Sequence, residues 1–374
     1  MKQYWEYIND DKLNYLEQTV LFLTDEFSFS FGESPWSKEY FKWKLGNDNP
    51  AGPGFMSVAI SNEKVVGTTT LTLKKALING KEVLGGEMGD SFTSLAIRRG
   101  GLPLNLTASN SNPNSYINKS VFGRLAHETR IRAEKMGVEF IYGTPNMNAF
   151  PGWTKNLGYR ELIDIKVRNY YRPTAKYVCT KFPIIKNFEG IIKFLDDSTV
   201  SFSRKIYKFN SLQTINFERP NEDELDALWV KCKPINGFSL IRDAQYWKHR
   251  YYIHPKFKYD TFIVRQNDDL TGILITKKLI TKDGKLYIAL VEWMGEGLVL
   301  NNNLLNEVLY HFRNSNIDLY YLFASNSLFK MSNLRNKLFF SGSKIPVINP
   351  INNDSFDQTL FQDSFFYLGS TDAI

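Results

Sequence analysis

Tyr116-Ile117-Asn118-Lys119-Ser120-Val121-Phe122-Gly123-Arg124-Leu125 runs from a polar turn straight into an apolar periodicity. Phe122, Leu125, Ala126, Thr129, Ala133 and Met136 recur at intervals of three and four. That spacing predicts an amphipathic helix laid on a sheet. Val138-Glu139-Phe140-Ile141-Tyr142 follows as a strand, stopped by Gly143 and Pro145. The first turn of a helix has unpaired N–H groups and the positive end of the dipole, so this turn suits an anion. Successive N–H groups in such a turn can wrap a pyrophosphate.

Outward from this stretch, the chain matches itself. Tyr40-Phe41-Lys42-Trp43-Lys44 parallels Tyr246-Trp247-Lys248-His249-Arg250, and each block precedes a proline, Pro50 and Pro255. Gly67 and Gly272 each lie 17 positions beyond that proline, among alternating or β-branched residues. Turn signals follow at Asn79-Gly80-Lys81 and Asp283-Gly284-Lys285, so both segments read as β-hairpins. A further strand ends at Glu87-Met88-Gly89-Asp90 in one half and near Glu292-Trp293-Met294-Gly295 in the other. A second helix is expected over roughly Asn303–Arg313 and a strand at Asp318–Phe323. The order is a mixed-sheet α/β arrangement repeated twice.

Composition bounds the setting. The 374 residues suffice for two domains, and 43% hydrophobic with 23% charged residues is ordinary for a globular chain. Two cysteines, Cys179 and Cys232, make a disulfide framework unexpected and suit a reducing cytoplasm. Met1–Asp10 lacks a basic region followed by an apolar stretch, and no apolar run is long enough to span a bilayer, so neither a signal peptide nor membrane insertion is expected. The Asn-x-Ser/Thr matches at Asn105 and Asn118 then carry little weight as glycan sites. Of the net charge of +7, an excess of +6 falls between Arg160 and Asn210, with 11 Lys/Arg against 5 Asp/Glu. No nucleic-acid reading motif accompanies it. The segment reads as a solvated basic linker or as an attractor for a phosphate-bearing small substrate. His127, His249, His254 and His311 are scattered, so no metal site is expected, and no Gly-x-Ser-x-Gly elbow points to a serine hydrolase.

Three segments together resemble the GNAT superfamily of acyl-CoA N-acyltransferases. The turn resembles one branch's pyrophosphate-binding form at Tyr116, Lys119, Phe122 and Leu125, with Val121 close to type; it departs at Ile117, Asn118 and Ser120. Pro145-Asn146-Met147-Asn148-Ala149-Phe150-Pro151-Gly152-Trp153-Thr154-Lys155-Asn156-Leu157-Gly158-Tyr159 resembles the family's Pro-Asn segment, its following short helix and glycine turn. Gly86-Glu87-Met88-Gly89-Asp90-Ser91-Phe92-Thr93 resembles the end of the central strand, which in the family bulges and splays open. The likeness covers roughly residues 35–165.

The resemblance implies two tandem GNAT-like domains, each a mixed, mostly antiparallel sheet flanked by helices. The expected division is an acyl-CoA-binding domain at 1–175, a basic linker at 176–210 and a degenerate domain at 211–374 that shapes the acceptor site. Acyl-CoA would be held by Tyr116, Asn118, Lys119, Ser120, Val121 and Phe122, with Asn146, Asn148 and Trp153 beyond the strand. Asp90, Glu87 and His127 are the candidates for proton removal, although His127 falls on the polar side of its helix. Trp153 occupies the place where many members carry a tyrosine acid, leaving Tyr159 as the substitute. The reaction implied is transfer of acetyl or a small hydroxyacyl group to the amine of a dTDP- or UDP-linked amino-deoxy sugar, for lipopolysaccharide or capsule. Two readings stand beside it: a peptide-bridge transferase using aminoacyl-tRNA, for which no heptad arm is visible, and a non-catalytic acyl-CoA sensor. The long span from Ser94 to Ser115 reads as a cover for the cleft or as a surface insertion.

Overall fold

A computed structural model of the chain describes residues 6–10, 12–26, 34–95, 97, 120–162, 167–206, 213–295, 297–324, 339–344 and 347–350. The first half runs β1 (Glu6–Asp10), α1 (Leu16–Glu26), α2 (Lys38–Leu45), β2 (Phe55–Ser61), β3 (Lys64–Ile78), β4 (Lys81–Thr93), α3 (Val121–Lys135), β5 (Phe140–Tyr142), β6 (Tyr159–Glu161) and β7 (Arg168–Pro173). Two helices, α4 (Ala175–Lys181) and α5 (Glu189–Ile206), occupy most of the basic segment. The second half runs β8 (Gln213–Asn216), α6 (Glu222–Cys232), β9 (Phe238–Leu240), α7 (Ala244–Trp247), β10 (Asp260–Gln266), β11 (Asp269–Ile280), β12 (Leu286–Gly295), α8 (Gly297–Phe312), β13 (Leu319–Ala324), β14 (Phe340–Lys344) and β15 (Ile348–Pro350).

The repeat is visible in the pairing. In the first sheet β1-β2-β3-β4 are antiparallel and β4-β5 parallel; in the second, β8-β10-β11-β12 are antiparallel and β12-β13 parallel. Local chemistry explains the first hairpin: Asn79 and Gly80 both take positive φ, 50° and 74°, as a two-residue turn demands. α3 buries Leu125, Ala126, Thr129 and Ala133 against the sheet, on the face the spacing predicts. It lies close, because a Cβ on Gly67 would stand 2.8 Å from Val121 Cγ1. α8 starts at Gly297, six residues earlier than the expected start at Asn303. Asn301-Asn302-Asn303 are weak helix formers, but burial of Leu304, Leu305, Val308 and Phe312 overrides their propensity.

Among the described residues, the halves exchange their last strands. β7, from the first half, sits between β13 and β14 in the second sheet. Reciprocally β15, near the C-terminus, pairs with β6, and Ile348 bridges Gly143 just past β5 through two hydrogen bonds of 2.9 and 3.0 Å. β9 of the second half also extends the first sheet by pairing with Ala76–Ile78. Where the duplicated blocks meet, the contact is reciprocal: Trp43 Nε1 donates to the His249 carbonyl (2.8 Å), His249 Nε2 lies 3.1 Å from the Trp43 carbonyl, and the rings stack at 4.8 Å.

One buried cation has a measurable consequence. Lys277 on β11 is 6% exposed, with Nζ 3.0 Å from the Phe257 ring centroid. Burial, with repulsion from Arg250 and Lys256, pushes its ammonium down to about 7. The unfolded chain holds that proton up to the ordinary 10.5, so folding releases it between the two values and stability rises with pH through that window. Lys277→Met is expected to be the more stable protein at pH 7, by on the order of 2–4 kcal/mol. Urea unfolding across the window should show that advantage shrink as pH rises; a constant difference would mean Lys277 stays charged in the fold.

Candidate active site

β4 and β5 stay paired only through Gly85↔Phe140, Gly86↔Ile141 and Glu87↔Tyr142. β4 then runs on to Thr93, while the chain beyond β5 turns aside at Gly143. Here backbone approaches backbone, since a Cβ on Gly143 would stand 3.2 Å from the Met88 carbonyl oxygen. Past the parting β4 bulges. Thr68 faces Phe92 and Thr70 faces Gly89, so Thr69 alone opposes Asp90 and Ser91. Asp90 takes φ 45°, a left-handed conformation that aspartate tolerates better than most residues. The parted strands bound a cleft of ≈ 220 Å³, into which Glu87, Asp90, Asn146, Trp153, Tyr159 and Ile348 come together.

Asp90 is held from three sides. Lys44 Nζ and Thr70 Oγ1 each donate to Oδ2 at 2.8 Å, and Trp36 Nε1 donates to Oδ1 at 2.9 Å. Lys44 is buried and the Asp90 side chain is 9% exposed at the cleft. The second half repeats the device. Glu87 is the last β4 residue in register with β5, and Asp90 lies three beyond it; Ala289 is the last β12 residue in register with β13, and Glu292 lies three beyond. The sequence match had set Glu87 beside Glu292. The sheets shift this, because Gly67 pairs with Thr93 while Gly272 pairs with Gly295, making the second hairpin three residues shorter. Glu292 is fully buried and accepts hydrogen bonds from Arg242, Tyr246 and Tyr251. Burial and the Glu292 charge push both phenols well up, so they remain donors.

The other sequence candidates divide. Glu87 lines the cleft and pairs with Lys74 Nζ at 3.3 Å. Ser120 caps α3, its Oγ accepting from Gly123 N at 3.2 Å. Val121 is buried against Gly67, and Phe122 meets the Trp153 ring edge-on at 4.7 Å, so the side chains of both are committed to packing. What these two offer a ligand is their main-chain N–H groups in the first turn. Asn146 lines the cleft and its Oδ1 caps the next turn at Ala149 N, 2.9 Å away. Trp153 lines it from a π-helical turn, Gly152–Asn156. Asn148 is exposed and, like His127, is not among the residues lining the cleft. Burial, with Arg130 adding repulsion, lowers the His127 imidazole below its ordinary value. Tyr116, Asn118 and Lys119, with most of the Ser94–Ser115 span, lie outside the described residues.

Sequence reasoning missed Lys44, Trp36 and Tyr40, which line the cleft from the α2 region, and Ile348. The α2 block was visible as half of the duplication, which was a signal for structure and not for a site. Nothing local to Ile348 links it to a cleft some two hundred positions earlier in the chain. Tyr159 is buried, with its hydroxyl 3.8 Å from Met88 Sδ, and burial raises its phenol above the ordinary value.

No protein-family model and no curated protein matches this sequence. Solved structures do match its fold. N-myristoyltransferase of Saccharomyces cerevisiae with bound myristoyl-CoA is 12% identical, with 92% of this chain and 82% of that one covered at a TM-score of 0.60. A GCN5-related N-acetyltransferase from Anabaena variabilis is 12% identical over 92% and 72% of the two chains, at 0.56. A GCN5-related glucosamine N-acetyltransferase region in a fungal multi-domain GH3 β-N-acetylglucosaminidase is 13% identical, covering 92% of this chain and 38% of that one, at 0.56. The chain thus has the GNAT fold, in two copies across one polypeptide.

Proposed function

We propose that this protein transfers a short acyl group from acyl-CoA to an amine in the cleft where β4 leaves β5. The parting carries the reading: it opens a strand edge and a bulge toward one space. The acyl donor would supply an activated thioester. The main-chain N–H groups of Val121 and Phe122, in the first turn of α3 after Ser120, would receive its pyrophosphate. Main-chain N–H groups that β4 no longer shares with β5 would stabilise the oxyanion as the amine attacks. Alignment of the two substrates supplies much of the rate.

Proton transfer falls to the remaining groups. Asp90 already accepts from Lys44, Thr70 and Trp36, so its proposed role is to anchor the bulge. Glu87, in the cleft beside Lys74, is the better placed carboxylate to take the proton of the amine. Tyr159 brings a phenol whose proton burial retains, and it would protonate the leaving thiolate in place of a residue at Trp153. Tyr159→Phe is expected to lower kcat about 10- to 100-fold with little change in KM. An unchanged kcat would remove Tyr159 from the proton path.

The acceptor we infer is a nucleotide-linked amino sugar of surface-polysaccharide synthesis, whose weakly basic amine needs little help to lose its proton. The resemblance of the motifs supports this, and a glucosamine N-acetyltransferase region is among the folds matched. Acceptor-dependent thiol release from acetyl-CoA, measured with dTDP- and UDP-linked amino sugars, free glucosamine and a lysyl peptide, tests it. Turnover confined to the nucleotide-linked sugars is the expected result. Turnover with the peptide alone would overturn the acceptor, and tight CoA binding without turnover on any amine would leave an acyl-CoA-binding protein.

A further inference from the structure

A second, smaller cavity lies beside the cleft, at the seam between the two halves. Residues of the α2 region, of β3 and of the duplicated block Tyr246–Arg250 enclose it. Among the described residues its lining holds four cationic side chains, Lys44, Lys74, Lys75 and Arg250, against one carboxylate, Asp243. Asp243 is turned to the backbone, accepting from the Tyr246 N–H at 2.9 Å. The carboxylates paired with Lys44 and Lys74 are Asp90 and Glu87, and both border the cleft instead. Thr72 also lines the cavity. It is 2% exposed, and its Oγ1 has no hydrogen-bond partner among the described residues, so a buried hydroxyl is left to be completed. The volume, ≈ 40 Å³, is room for about three waters. That is the size of one phosphate group and far too small for a nucleotide.

We propose that this cavity receives one phosphate group of the acceptor, with Thr72 Oγ1 donating to it and Lys74, Lys75 and Arg250 balancing its charge. The assignment to the acceptor rests on the reading of the cleft as the place of acyl transfer. Register supports it. Thr72 pairs with Glu87 across β3 and β4, so both side chains rise from one face of the sheet. Leu71 and Leu73, alternating with Thr72, pack on the other face with Ala126 and Ala133 of α3. The first turn of α3, which would take the pyrophosphate of the donor, therefore lies across the sheet from this cavity. Cross-strand neighbours have Cβ atoms about 4.5–5.5 Å apart. An amine at Glu87 and a phosphate at Thr72 are then separated by about the width of one sugar ring, as in an amino-sugar phosphate.

Calorimetric titration of the full-length protein with glucosamine 1-phosphate, glucosamine and inorganic phosphate tests the site without turnover. Glucosamine 1-phosphate is expected to bind at least about tenfold more tightly than glucosamine. Thr72→Val removes the hydroxyl at nearly constant volume and should weaken glucosamine 1-phosphate and inorganic phosphate about tenfold. Lys75→Gln, at an exposed position, should weaken both about threefold. Neither variant should unfold at lower urea, since Thr72 Oγ1 gives up no bond among the described residues and Lys75 gives up a 3.2 Å contact with Gln245 at the surface. Acetyl-CoA should bind all three proteins equally. Equal phosphate affinity in wild type and Thr72→Val overturns the proposal, as does equal binding of glucosamine and glucosamine 1-phosphate. A loss of acetyl-CoA affinity in Thr72→Val that matches the loss for phosphate also overturns it, by giving the cavity to the donor. Phosphate binding that depends on Thr72, in a protein that releases no thiol on any amine, upholds the site and removes the reaction. Thiol release with phosphate binding indifferent to Thr72 does the reverse.

Discussion

Lys44→Ala is expected to destabilise the protein by about 3–5 kcal/mol and to abolish acyl transfer. The ammonium is 2% exposed and lies 2.8 Å from Asp90 Oδ2. Its removal leaves a largely desolvated carboxylate with only the neutral donors Thr70 and Trp36. The penalty is that of an uncompensated charge, far above the worth of a surface pair. A double variant makes the argument specific. Lys44→Met with Asp90→Asn removes both charges, and asparagine tolerates φ 45° at the bulge. It should recover most of the lost stability, read as a coupling of about 2–3 kcal/mol in a urea-unfolding cycle. That double variant, with no charge left unpaired, should keep the rate within about tenfold if the carboxylate is an anchor; a drop of 10²–10⁴ would make it the base. Equal melting of Lys44→Ala and wild type would mean the pair is solvated and the bulge stands without it.

The second large effect concerns the exchanged strands. Residues 1–175 and 176–374, produced separately, are each expected to lack a cooperative unfolding transition. The first piece would be without β15, which completes the wall of the cleft through Ile348, and without β9 on its sheet edge. The second would lose β7 from between β13 and β14, exposing a sheet interior and the core around Tyr170 and Arg172. Co-expressed, the two pieces should assemble and restore thiol release. Circular dichroism during urea titration of each piece is the check, and a sigmoidal curve from either alone would mean the exchange is dispensable.

How far the sequence carried follows from the range of each interaction. Asn79-Gly80, the α3 periodicity and the Glu87–Thr93 strand end are set by neighbours a few positions apart, and each is where the spacing puts it. The duplicated blocks Tyr40–Lys44 and Tyr246–Arg250 were legible as likeness, but not as a reciprocal contact, since nothing in a likeness says that two copies touch. β7 and β15 alternate no differently from strands of their own half, so their exchange left no local mark. The grip of Lys44 on Asp90 spans 46 positions and crosses β2 and β3, beyond the reach of any motif. Burial of Glu292 under two tyrosines depends likewise on the α7 block folding over β12.

Trp43 and His249 reach across to each other's carbonyl, and each half lends its last strand to the other. A self-complementary contact about a two-fold and an exchanged terminal element are the marks of a swapped homodimer. Here both features lie within one chain. A homodimer of that kind must find its partner at whatever concentration is present, and its two clefts are identical. Joined end to end, the partner is always present, and each copy of the carboxylate is free to go its own way. One, Asp90, still borders open space; the other, Glu292, has been closed over by the protein's own arginine and tyrosines.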